Sequence, residues 1–138
     1  MKGAKRSTPM NGKFLLDTNI LIAIFAADAR VQENLAQPVE VFVPIVAVGE
    51  LYYGARKSTR IEANIRTIDE FAATCALLEC DLDTARYYGL IKNELRAKGR
   101  PIPENDIWIA AVAKQHDPTL ISRDAHFNEV EGLSFEGW

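Results

Sequence analysis

Apolar positions along this chain fall into two alternating kinds of block. Short runs of three β-prone or aliphatic residues read as buried strands: Phe14–Leu16, Val41–Val43, Ala76–Leu78 and Thr119–Ile121, with Leu133–Phe135 as a final edge strand. Longer blocks read as helices. Asp17-Thr18-Asn19, all N-cap residue types, precede ILIAIFAADA. Pro44 opens or precedes a helix through VAVGELYYGARK. Thr59 and Glu62 have capping-box spacing ahead of a stripe of Ile61, Ile65, Ile68 and Ala72, with Phe71 alongside. Asp81 or Asp83 caps a helix with Tyr88, Ile91 and Leu95 on one stripe, and Gly99 and Pro101 stop it. Pro103 leads into ENDIWIAAVAKQH, an Ala-rich buried helix. Strands alternating with helices predict an α/β fold, a mostly parallel sheet flanked by helices. Residues 1–12 are polar, lack an apolar period and read as a flexible leader. Residues 13–138 then form one small domain, with no internal repeat.

Composition narrows the classes. The chain has 138 residues, 48% hydrophobic and 25% charged, which suits one ordinary globular domain rather than a disordered chain. No apolar run approaches the ~20 residues that span a bilayer. The basic start carries no small-residue cleavage site, so a secretory signal is not expected and a cytoplasmic protein is. Cys75 and Cys80 match neither a zinc nor a redox spacing and read as reduced, partly buried thiols. With only His116 and His126, a histidine-rich metal site is excluded. The net charge is −3. That excess of acid is smaller than the four carboxylates singled out next, so charge argues neither for nor against a phosphate-bearing partner.

Four acids stand out by position. Asp17 directly follows the first strand. Glu50 sits near the start of the helix after the second. Asp106 lies in the first turn of the Ala-rich helix, and Asp124 lies just past the Thr119–Ile121 strand. In a parallel α/β sheet the C-terminal strand ends and the helix N-termini share one edge, where ligand sites form. Two carboxylates ~5 Å apart at an effective dielectric of ~20 repel by roughly 3 kcal/mol, and helix N-termini relieve only ~0.3–1 kcal/mol each. The remainder calls for a cation. Hard oxygen ligands select Mg²⁺ or Mn²⁺, and carboxylates holding such ions suit phosphodiester hydrolysis. Taken singly, each acid also reads as a helix cap, a solvated helix residue or a turn residue. Glu50, however, sits among apolar and small neighbours in VAVGELYYG, where an unpaired charge is costly.

The segments FLLDTNILI, VGELYYGA, PIPENDIWIAAVA and LISRDAHF, in that order, resemble the PIN-domain ribonucleases, in particular the VapC-type toxins of toxin–antitoxin pairs. The resemblance covers residues 13 to about 135 and departs at none of the four acids. It implies a small PIN-like domain that cuts RNA with Mg²⁺ or Mn²⁺. Carried over, Asp17, Glu50, Asp106 and Asp124 form the catalytic set. Asp17, Asp106 and Asp124 hold one or two ions, and Glu50 positions or deprotonates the attacking water. The expected products carry a 3′-hydroxyl and a 5′-phosphate. The resemblance also implies that Asn19 and Ser122 orient a water or an acid, that a small antitoxin is the cognate partner, and that the protein is a homodimer. Tyr52 and Tyr53 serve either interface or the core.

Arg56 and Lys57, with Arg60, form one basic cluster that can contact RNA phosphates. Lys92, Arg96, Lys98 and Arg100 form another, and both read equally well as solvated helix faces. His126 reads as a packing or surface residue and Thr18 as a helix-start residue. No nucleophile elbow is present. A haloacid-dehalogenase-type phosphatase needs a second Asp where Asn19 stands, and a receiver domain's paired early acids are absent. Two alternatives stay open: a PIN-like nuclease of RNA processing or DNA flaps, and a non-catalytic module whose acidic pocket holds a partner's arginine.

Overall fold

The computed structural model describes residues 12–138, so the leader expected over residues 1–12 lies outside the described residues except for Gly12. Among the described residues the order is β1 (Lys13–Leu16), α1 (Thr18–Phe25), α2 (Ala29–Leu35), β2 (Glu40–Pro44), α3 (Ile45–Arg56), α4 (Ile61–Ala72), β3 (Ala76–Leu78), α5 (Leu82–Ala97), α6 (Glu104–His116), β4 (Thr119–Ile121), a 3-10 turn (Ala125–Glu129) and β5 (Phe135–Glu136).

The five strands form one sheet in the order β3-β2-β1-β4-β5, with every described pair parallel. Parallel strands require crossovers; α-helices supply those that lead from β1 through to β4, and the segment with the 3-10 turn supplies the one from β4 to β5. The chain moves outward from β1 to β2 and β3, then returns to the other side of β1 for β4 and β5. The winding therefore reverses between β1 and β4, and the C-terminal ends of these two strands border the crevice where such sheets bind ligands. Leu15, Leu16, Leu120 and Ile121 are at most 1% exposed, because both faces of the central strands are covered. In α6, Ile109, Ala110, Ala111 and Val112 are all fully buried; the small alanines let the helix lie close against its neighbours. No helix among the described residues is long and apolar enough to cross a membrane.

Several elements differ from expectation. The helix expected to run through ILIAIFAADA stops at Phe25. Ala27 takes a left-handed backbone (φ 57°), and Asp28 starts α2 by accepting hydrogen bonds from the Arg30 and Val31 N–H groups. This second helix has one buried residue, Val31, and so offers almost no apolar period to read. At α4 the capping box does not form: Arg60 is the N-cap, without a side-chain cap bond. Of the α4 stripe only Ile68 is buried, while Ile61 is 38% exposed, because α4 lies against α3 rather than on the sheet. The final strand is Phe135–Glu136, at the edge but shifted from Leu133–Phe135. The remaining expectations hold: Asp81 caps α5 through a capping box with Thr84, Gly99 takes the left-handed conformation past its end (φ 71°), and α6 spans the expected residues. Both cysteines are free thiols; Cys75 is half-buried as expected, whereas Cys80 is exposed rather than partly buried.

Candidate functional site

Asp17 lies where the sheet turns into α1. Its N–H extends the β1–β4 ladder by donating to the Ile121 carbonyl at 2.9 Å, which sets Asp17 beside Ser122 at the end of β4. The Ser122 hydroxyl then donates to Asp17 Oδ2 at 2.7 Å, and the Thr18 N–H donates to Oδ1 at 2.8 Å. Asn19 completes this group. Its amide nitrogen lies 3.2 Å from Ser122 Oγ and 3.4 Å from Asp17 Oδ2, and its carbonyl oxygen accepts from the Arg123 N–H at 3.1 Å. The two supporting residues expected from sequence are thus both in contact with Asp17.

The remaining acids arrive from three other elements. Asp106 stands in the first turn of α6. Asp124 caps the 3-10 turn by accepting from the His126 N–H at 2.9 Å, while its own N–H donates to Ser122 Oγ at 3.0 Å. Glu50 is not near the start of its helix but in the second turn of α3. Two side chains hold it instead: Thr18 Oγ1 donates to Oε1 at 2.5 Å and Asn105 Nδ2 to Oε2 at 3.0 Å. For an acid in that apolar context this donor pair offsets part of the cost of its charge. Thr18 does more than start a helix. Asn105 was not singled out in the sequence; its position next to Asp106 was the available signal.

Two of these acids, Asp17 and Asp106, are electrostatically strained. Asp17, only 4% exposed, has its pKa raised by burial; the Ser122 and Thr18 hydrogen bonds work against this, and the charges of Glu50 and Asp124 add to it. Burial and the charges of Asp17 and Asp124 push Asp106 up to about 6, against the pull of His126. Carboxylates packed closely enough to raise the pKa values of Asp17 and Asp106 are the donor set a divalent cation relieves, and the residues present fit one.

His126, expected in a packing or surface role, is exposed at the surface and also faces two of the acids. Its Nδ1 lies 3.2 Å from Asp106 Oδ2, and 2.9 and 3.0 Å from the two Asp124 oxygens. Asp106, Asp124 and His126 each offer an atom within 4.8 Å of the others. Desolvation lowers the His126 pKa, but the hydrogen bonds and charges of Asp106 and Asp124 outweigh it and leave it raised.

Two clefts flank Glu50. One of about 730 Å³ is lined by Thr18, Glu50, Tyr53, Lys57 and Asn105 among others, and places Lys57 beside the site. The exposed Arg56 does not line it. The other, about 300 Å³ and apolar, runs between α1, α3 and α4 past Ile22, Phe25, Leu51, Ala55 and Ile68 to Glu50. In the second basic cluster, Lys92 is engaged by Glu104 at 2.8 Å and Lys98 by the Glu129 carbonyl at 2.5 Å.

Residues 14–133 match the PIN domain family. A Ribonuclease VapC2 of Haemophilus influenzae is 36% identical over 132 residues, spanning 91% of this chain and 98% of that protein. A tRNA(fMet)-specific endonuclease VapC of Shigella flexneri is 35% identical over 130 residues, with the same coverage. Among solved structures, VapBC2 from Rickettsia felis bound to a promoter DNA fragment superposes with a TM-score of 0.84 at 29% identity, covering 91% of this chain and 98% of that one.

Proposed function

The chain belongs to the PIN-domain family, and from that membership we propose that it is a VapC-type endoribonuclease, the toxin of a toxin–antitoxin pair, working with Mg²⁺ or Mn²⁺. The observation that carries the reading is the convergence of Asp17, Asp106 and Asp124, with Glu50 alongside, at the reversal between β1 and β4, where burial and neighbouring carboxylates raise the pKa values of Asp17 and Asp106. Such an arrangement is unfavourable unless a cation is part of the working protein.

Asp17, Asp106 and Asp124 would hold the metal, which lowers the pKa of a water and offsets negative charge on the phosphate being cut. The protein's own part is orientation. Ser122 and Asn19 fix the Asp17 carboxylate, and the Asp124 cap fixes the turn that bears it. Glu50, an acceptor held by Thr18 and Asn105, would align the attacking water and take its proton. Lys57, in the adjoining cleft, would offer its cation to an RNA phosphate, while Arg56 is exposed outside that cleft.

An antitoxin fits the apolar cleft. Ile22 (55% exposed) and Phe25 (40%) present apolar surface to it, and Glu50 at its end offers a charge to a partner's basic side chain. A homodimer is part of the same reading. Tyr52 is used within the fold, its hydroxyl donating to Asp69, whereas Tyr53 is 66% exposed and suits an interface.

The test is cleavage of a labelled RNA panel that includes tRNA(fMet), by wild type and Asp17→Asn, with Mg²⁺, Mn²⁺ or chelator. Metal-dependent cutting by wild type, silence of the variant, and 3′-hydroxyl and 5′-phosphate ends support the proposal. A 2′,3′-cyclic phosphate product refutes the mechanism, since it means that the ribose hydroxyl attacked.

A further inference from the structure

We infer that His126 supplies a nitrogen ligand to the metal held by the site acids, making the centre a mixed nitrogen–oxygen site that favours Mn²⁺ over Mg²⁺. The inference rests on the metal-nuclease reading and adds a residue that the four carboxylates leave out.

Three carboxylate oxygens from two elements converge on one ring nitrogen. His126 Nδ1 lies 3.2 Å from Asp106 Oδ2 and 2.9 and 3.0 Å from the Asp124 oxygens. That nitrogen carries at most one proton and cannot satisfy all three at once. A ring nitrogen and a carboxylate oxygen about 3 Å apart can share one small divalent cation, and Asp106 and Asp124 each have an oxygen at that spacing from Nδ1. A single cation satisfies all of the groups together.

The placement is built into the turn. Asp124 accepts the His126 N–H, so the acid and the residue two positions on are oriented as a unit. Ser122 anchors the same turn by accepting the Asp124 N–H. On the other side of His126, Phe127 is 1% exposed and packs 5.9 Å from the Phe135 ring, which pins the backbone that carries the imidazole. The His126 side chain itself is 49% exposed, so it packs no core and its position serves the acids.

The metal preference follows from donor chemistry. Mg²⁺ prefers oxygen ligands and keeps its waters, whereas imidazole affinity rises along the divalent series that begins at Mn²⁺.

The experiment is pulsed electron paramagnetic resonance of the purified full chain with Mn²⁺ as the only added metal. We expect nitrogen modulation of the Mn²⁺ echo, altered by ¹⁵N-histidine and lost in His126→Gln. The only other histidine in the sequence is His116, at the far end of α6, so the variant assigns the signal. The same variant should weaken Mn²⁺ binding about tenfold and Mg²⁺ binding, read by competition, by less. Mn²⁺ bound with no nitrogen modulation, or with modulation that survives His126→Gln, overturns the inference and leaves the nuclease reading standing. Failure of wild type to bind Mn²⁺ any better than Asp106→Asn overturns both.

Discussion

Asp106 keeps its proton at pH values where an aspartate in water has lost it. Between the unfolded value near 4 and about 6 the native state holds more protons than the unfolded one. Stability of the metal-free protein therefore falls as pH rises through that window, and the loss is complete above it. The upward shifts of Asp17 and His126 act in the same direction, the latter as pH rises beyond the ordinary histidine range. Asp106→Asn removes the charge that must be buried. It should raise the stability of the metal-free protein at pH 7.5 by roughly 2 kcal/mol, with the gain vanishing at pH 4, and should abolish cleavage. Thermal melts of both proteins across pH 4–8 check this, and a variant less stable than wild type at pH 7.5 refutes it. Ser122→Ala has the opposite consequence for the fold. It strips the buried Asp17 carboxylate of its 2.7 Å donor and should cost about 1–2 kcal/mol, read as a lowered denaturant midpoint.

At the scale of elements, α1 and α5 separate function from folding. Ile22 and Phe25 on α1 stay exposed although they are apolar, while Ile20 and Leu21 of the same helix are fully buried. If the cleft they border takes an antitoxin, Ile22→Asp should lose antitoxin binding in a pull-down or calorimetric titration while the chain still cuts RNA. Unchanged antitoxin affinity would remove the cleft from the proposal. The start of α5 is far from the acids in role. Asp81 accepts from the Thr84 N–H and from Gln115 Nε2, tying α5 to α6. Asp81→Ala should cost about 1 kcal/mol of stability and leave cleavage per folded molecule unchanged.

The whole molecule places its acids where the sheet order reverses, and binding there is coupled to folding of the entire chain. Mn²⁺ at a hundredfold excess over its dissociation constant should stabilise wild type by about 2.7 kcal/mol, raising Tm by several degrees. Chelator should reverse the rise, and Asp106→Asn should show none. A rise of equal size in that variant would place the bound ion elsewhere.

Residue type and local spacing determined much of this protein. Asp17, Asp106 and Asp124 were legible because each follows a strand or opens a helix, and in a parallel sheet those positions share an edge. The strand at β4 and the boundaries of α6 were legible from local runs: α6 lies between Pro103 and Pro118, and β4 is a compact apolar run directly after Pro118. Tertiary structure decided what no local pattern encodes. Glu50 is held by Thr18 and Asn105, partners that reach it only after α1, α3 and α6 pack. The Asp28 restart, with the left-handed Ala27, breaks what reads as one continuous helix, because a cap bond outweighs an apolar run. His126 is an ordinary exposed histidine in the sequence. It becomes part of the site because the turn after β4 folds back over the start of α6, and only that closure brings its imidazole between two carboxylates.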